Sequence, residues 1–447
     1  MKAAAARSAS WLLPLAAVLA IVILMLIDEK SVKWAFDWPK AWTLPAARWI
    51  GGFVAWLTGE AAIGPVAFSD VTRFLAAIVD IPYQVALSLL STGFLSGEGS
   101  AATMILPPVS WLAVIAVFAL LGYYAGGARL ALLQIACLGF VAIFGQWESA
   151  MVTLASILVA VPLGVAGGLL LGILAYRYPW VDRALKPVLD LMQTMPVFAY
   201  LVPILILFGF GPTAAVVATL IYAMPPMTRI TTLALARVAP EIHDLGRMVG
   251  CTRRQMTWRV LVPSAQDSLM VGLNQVIMLS LNMVIIASMI GAGGLGFDVL
   301  AALRRLDFGA GLEAGFAIVA LAIALDRLSQ AFARKRAEPA PGGSSVARHP
   351  YLLAVLALIV TGSLAGLAVP ALQTFPEQAR LSTGPFWSSL MEWINVNYFD
   401  TLEGIKNAVL LWLLLPVKKF LLALPWAGVV LFLAALGLRL GGWRLAL

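Results

Sequence analysis

From Ala150 to Tyr176 the chain carries no charged residue, and apolar runs of similar length recur along it. About 20 helical residues cross the hydrocarbon core of a membrane, so runs of about 18 or more read as spans. The charges fall in short stretches between the runs. They make up only 12% of the residues, against 62% apolar, where a soluble domain carries about a quarter as charge. This pattern excludes a soluble globular enzyme, a disordered chain and a nucleic-acid-binding domain. The net charge of +8 fits basic loops on the cytoplasmic side of a membrane rather than an acidic partner.

The runs predict an all-α membrane protein. Residues 1–27 form an N-terminal span. Lys2 and Arg7 precede it, and Asp28, Glu29 and Lys30 follow where a signal peptidase would need small residues. Residues 28–104 mix Trp, Pro and Gly with five basic and seven acidic residues. Trp42 to Leu57 and Val71 to Val79 read there as amphipathic helices lying on the far face. Residues 105–145 hold two spans. Residues 146–334 hold five, near 150–176, 187–210, 213–235, 262–290 and 314–332. That makes about eight crossings in a first complete unit. Residues 335–350 are rich in Pro, Gly and Ser and read as a cytoplasmic linker. Lys and Arg set the orientation: 16 fall on the side of residues 1–10, 123–130, 177–186, 236–260 and 327–349. Seven fall on the other. The first side is cytoplasmic.

After the linker the chain starts again. Residues 351–370 form a new first span and a Trp-rich stretch follows it. Trp426 to Leu447 then aligns with Trp111 to Leu132 without gaps at an offset of 315, with 11 identities in 22 positions. Gly122/Gly437, Gly126/Gly441, Gly127/Gly442 and Arg129/Arg444 are among them. Apolar composition alone does not place four Gly and Arg matches in one register. Residues 351–447 therefore read as the start of a second copy, with about two more crossings.

Two Cys and two His lead us to expect neither a disulfide framework nor a structural zinc site. No G-x-x-x-x-G-K-[ST] loop occurs, so ATP would have to be bound by another chain.

The polar stretch 238–263 carries the mechanism. Pro240 suits a first helical turn and Glu241 its N-terminus. Gly250 suits a helix end, and Pro263 opens the next span. By its residues alone this is either a basic loop among head groups or a docking element. Asp244-Leu245-Gly246, Gly250 and Val260-Leu261-Val262-Pro263 resemble the EAA motif of ABC-importer permeases, with Asp for Glu and Leu-Gly for the two Ala. Gly272 to Met278, Met283 to Gly296, Arg305-Leu306-Asp307, Glu313-Ala314-Gly315 and Leu325 to Leu328 extend the likeness. Together they resemble the permease of the glycine betaine/proline (quaternary amine) uptake system, densely over 145–330 and loosely over 28–145.

That resemblance implies a type I ABC-importer permease fold in a bacterial inner membrane. It implies a cytoplasmic ABC ATPase dimer, a periplasmic substrate-binding protein and a second permease unit, either a homodimer mate or a fused copy. No cofactor is expected on this chain and no nucleic acid, and membrane lipids surround it. Glu241, Asp244, Gly246, Gly250, Arg253 and Pro263 would form the ATPase-coupling segment. An ion-gradient-driven secondary transporter and an inactive truncated permease are the alternatives.

Within the span 262–290, Asp267, Asn274, Asn282 and Ser288 fall on one helical stripe about 120° wide. Asn274, Asn282 and Ser288 either line the translocation path or bond neighbouring helices, which is the commoner use of Asn and Ser. Gly291 to Gly296 reads as a close-packed turn. Gln193-Thr194-Met195-Pro196 reads as a kink.

Overall fold

The computed structural model describes residues 12–26, 33–63, 66–96, 103–335 and 350–446. Lys2, Arg7, the charges at 28–30 and the linker residues 336–349 lie outside them. The chain divides into two compact units, residues 54–391 and residues 1–53 with 392–447.

In chain order the main helices are α1 (Leu12–Leu26), α2 (Ala46–Gly59), α3 (Phe68–Leu87), α4 (Trp111–Gly126), α5 (Ala128–Ile143), α6 (Trp147–Arg177), α7 (Pro179–Thr194), α8 (Val197–Phe208) and α9 (Pro212–Ala236). There follow α10 (Pro240–Met248), α11 (Gln266–Ser288), α12 (Gly294–Arg305), α13 (Phe308–Arg334), α14 (Pro350–Ala368), α15 (Gly384–Ala408), α16 (Leu415–Ala423) and α17 (Trp426–Gly441). Two short antiparallel pairs are the only strands among the described residues: Ala62–Ile63 with Val66–Ala67, and Phe94–Ser96 with Thr103–Leu106.

The larger unit is built around α6. Gly164, Gly168 and Gly172 recur every fourth residue along it. A Cβ at Gly168 would lie 2.6 Å from Met227 Cβ, and one at Gly172 would lie 2.5 Å from Thr231 Cβ. Small residues at this spacing let two backbones approach closely, which is how helices associate where lipid removes the hydrophobic drive. α9 fills that groove, and α11 packs on α9 through Gly272 against Met227. The Gly291–Gly296 run is a tight turn with positive φ at Gly291, Gly293 and Gly294. Its Leu295 N–H donates to Thr153 of α6 at 3.0 Å, fixing the start of α12.

Three helical stretches among the described residues are long and apolar enough to cross a membrane: Phe68–Thr92, α6 and α13. Counting each of two bent pairs as one span makes five. This is fewer than the apolar runs promise, for two reasons. α4 and α5 have 16 residues each, about 24 Å, shorter than the hydrocarbon core. α9 and α11 are long enough at 25 and 23 residues, but Pro, Thr, Asn, Gln and single charges dilute them. Two local expectations change. The stretch 71–79, read as surface amphipathic, belongs to the longer α3, whose Val79 and Tyr83 are buried in the core. Its Asp80 accepts from Thr213 at the start of α9, 2.7 Å. The stretch 187–210 is not one helix: α7 and α8 meet at 107°. Met195 and Pro196 are extended at the break.

Residues 350–391 belong to the same unit. α14 packs on α4, with Tyr351 stacked on Tyr124 at 3.8 Å. Glu313 of α13, 7% exposed, receives the start of α15. One oxygen accepts from the Thr383 amide, the Gly384 amide at 2.7 Å, the Thr383 hydroxyl at 3.0 Å and the Ser382 hydroxyl at 3.2 Å. A carboxylate at a helix N-terminus satisfies amides that the helix leaves unbonded.

In the smaller unit α1 packs along α17, and Trp38, Trp42 and Trp426 meet edge to face with centroids 4.7–6.2 Å apart. The repeat seen in the sequence has a backbone counterpart. Gly127 ends α4 at φ 75°, ψ −167°, and Gly442 ends α17 at φ 72°, ψ −163°. Each opens directly into another helix.

Candidate functional site

The basic segment folds as two short helical pieces around a defined turn. Pro240 occupies the first turn of α10 with Glu241, and Arg247 lies in its last turn, so both charges oppose the helix dipole. At its end Gly250 takes φ 77°. Its N–H donates to Arg247 O at 3.0 Å, and Cys251 N–H to Gly246 O at 3.0 Å. This pair of bonds is a Schellman closure, which requires the left-handed residue that Gly supplies. Thr252 and Gln255 then cap the next turn reciprocally, at 2.8 and 3.3 Å. A wide, π-type turn follows over Met256–Leu261, and Pro263 lies at the start of the short helix leading to α11.

Gly246 is buried. A Cβ there would lie 2.6 Å from Met256 Cε, so the two pieces close on each other at this glycine. Tyr176 at the end of α6 hydrogen-bonds His243 at 3.3 Å, tying α10 to the longest helix. Glu241, Asp244 and Arg253 are exposed, and Asp244 pairs with Arg247 at 4.0 Å. Apolar side chains between them are exposed as well. Leu245, Met248 and Val249 are 61%, 86% and 74% exposed. At spacings of three and four they form one ridge, projecting from a polar segment. Their ridge spacing is legible in the sequence; their exposure is not.

The polar residues of α11 part company. Asn274 accepts from Ser329 of α13 at 3.1 Å. Ser288 is buried. Asn282 is exposed, and so are Asp267, Val271, Gln275, Met278 and Met289, one stripe of the helix. Beside α11, Arg229 of α9 forms an ion pair with Asp190 of α7. Its members lie 39 residues apart, and no local sequence pattern joins them.

At the other end of α6 a cavity of about 350 Å³ is lined by Gln146, Ser149, Asp298, Arg305 and Asp307. Burial pushes the Asp298 carboxyl above its ordinary range. A hydrogen bond from Ser149 works against this, and nearby Glu148 adds to it.

Residues 164–338 match the family described as binding-protein-dependent transport system inner membrane component. The chain is 36% identical over 416 residues to the trimethylamine N-oxide transport system permease protein of Ruegeria pomeroyi, covering 92% of this chain and 61% of that protein. It is 38% identical over 300 residues to the glycine betaine/carnitine transport permease protein of Listeria monocytogenes, covering 66% and 98%. It is 44% identical over 220 residues to the glycine betaine/proline betaine permease of Escherichia coli, covering 49% and 62%. The chain thus spans less than two thirds of the Ruegeria and Escherichia proteins.

Proposed function

We propose that this chain, which belongs to the family of binding-protein-dependent transport system inner membrane components, is the permease subunit of an ATP-driven importer for small methylated amines. It is a multi-pass inner-membrane protein with the type I ABC-importer permease fold. The observation that carries the reading is the ridge of Leu245, Met248 and Val249, held out on the locked turn at Gly250. An apolar knob on a charged, membrane-proximal segment has the form of a plug for a cleft in another protein. Here the partner is an ATPase dimer, which also binds the ATP. Closure of that dimer on ATP draws the plugs together and shifts the helices attached to them, because ATP binds the closed state better. A binding protein supplies the solute at the opposite end.

The names of the relatives support this solute class. Trimethylamine N-oxide and glycine betaine both join a methylated cationic nitrogen to an anionic oxygen group. This widens the expectation drawn from the glycine betaine/proline likeness. The restart at residue 351 supports a fused second permease copy as the partner unit, with residues 335–350 as the linker.

Reconstitution with an ATPase and a binding protein tests the reading. ATP-dependent uptake of labelled trimethylamine N-oxide or glycine betaine is expected. Uptake that follows a proton or sodium gradient and ignores ATP overturns it. Met248→Asp and Gly250→Asp should each abolish ATPase capture while the chain still inserts in the membrane. Undiminished capture would place the coupling surface elsewhere.

A further inference from the structure

Arg229 is the single charged side chain on α9, and Asp190 lies toward the end of α7, beyond the charges Asp182, Arg183 and Lys186 of its first turns. Arg229 lies seven residues before the end of α9, about 10 Å along its axis. Asp190 lies four residues before the break between α7 and α8. Charges at such depth nearly always face a bundle interior or a wet cavity, pair with one another, and mark solute paths. The two side chains are 65% and 43% exposed, so the pair is not sealed by this chain's own packing. Among the described residues neither has a second charged partner. The Leu189 side chain on the same turn is buried, so α7 is seated by its leucine and the charge pair is left open.

From this we infer that Asp190 and Arg229 form a specificity site for zwitterions on the translocation path. The inference rests on the importer reading above. Arg229 presents a planar fork of N–H donors that matches a carboxylate or an N-oxide oxygen. A quaternary ammonium has no N–H, so Asp190 attracts it by charge alone. A zwitterion therefore takes the place of each partner in turn and leaves no net charge in the site. A cation such as choline satisfies Asp190 but strips Arg229 of its counter-charge, and is rejected. Asp190 recognises the cationic end that all these solutes share; Arg229 recognises the anionic end that choline lacks.

The test is ATP-driven uptake of labelled glycine betaine and labelled choline by the full chain, reconstituted with its ATPase and saturating binding protein. Wild type taking up no methylated amine would overturn the importer reading, and this inference with it. Where wild type transports, Arg229→Gln should cut glycine betaine uptake tenfold or more while choline uptake holds or rises. Asp190→Asn should lower both. Equal losses for both solutes in both variants assign the pair to packing and overturn the inference, as does wild-type selectivity in Arg229→Gln. If Arg229→Gln fails to assemble, Arg229→Lys decides. A point charge in place of the fork should lower the ratio of glycine betaine to choline, and an unchanged ratio overturns the proposal.

Discussion

Glu313 and Asp190 are both carboxylates where one helix meets another segment, and their surroundings are opposite. Glu313 is buried, and one of its oxygens collects amides and hydroxyls from Ser382, Thr383 and Gly384. Asp190 stands 65% exposed against a single guanidinium. The first is a closed arrangement. Its donors belong to a chain segment that cannot leave, and removing the acid would strand them. The second is open, so an incoming molecule has access to both charges. Burial and the number of fixed donors, rather than charge itself, separate a carboxylate that holds the fold from one free to exchange its partner.

Four substitutions press on that contrast. Glu313→Ala should be the most damaging, at about 3 kcal/mol, because it removes the one charged acceptor that the Thr383 and Gly384 amides and the Ser382 and Thr383 hydroxyls share. The melting midpoint of the detergent-solubilised chain reads it. A wild-type midpoint would mean that water replaces the carboxylate and the site is not closed. Thr383→Ala removes one hydroxyl that serves both Glu313 and the Trp387 indole at 3.1 Å. It should cost about 1 kcal/mol. Asp190→Asn should shift the same midpoint by less than about 1 kcal/mol, as exposed pairs do, while uptake falls. A loss as large as that of Glu313→Ala would erase the contrast.

Asp298 lies between the two and should show the smallest effect. Its pKa is raised in the native state, above the ordinary 3.8, so the folded chain holds a proton that the unfolded chain has released. Stability therefore falls as pH rises from the ordinary value through the raised one, and the penalty is full above it. Asp298→Asn should remove that slope, giving a higher midpoint at neutral pH and no gain below the ordinary value. Equal pH profiles for both chains would show that Asp298 is solvated like Asp190.

Much of the helical framework was legible in the apolar runs. Ala150 to Tyr176 lies within α6, and Thr213 to Leu235 differs from α9 by one residue at each end. Pro, Gly and charge mark such ends directly. The run 187–210 misled because apolar character continues across a 107° bend: hydropathy records what lies beside lipid, not the direction of the axis. The stretch 71–79 was cut short at Asp80 and Pro82, since a charge and a proline look like an end. Asp80 is instead satisfied by Thr213 from 133 residues away. For the same reason the Asp190–Arg229 pair and the bonds to Glu313 went unread. They join residues 39 and about 70 apart, and no local pattern encodes the meeting. The polar stripe on α11 was drawn from helical phase. Phase distinguishes faces but not neighbours, so it did not separate Asn274, bonded to Ser329, from Asn282, exposed.

The locked turn at Gly250 and the Tyr176–His243 bond have a mechanical consequence. A crank transmits displacement only if its elbow is stiff. Here the Schellman closure, the reciprocal cap at Thr252 and Gln255, and the strut to Tyr176 remove the slack between α10 and α6. The 31 residues of α6 make an arm of about 46 Å. A tilt of about 5° imposed at its basic end would move the far end by about 4 Å, roughly the width of a methyl group, without any helix having to bend.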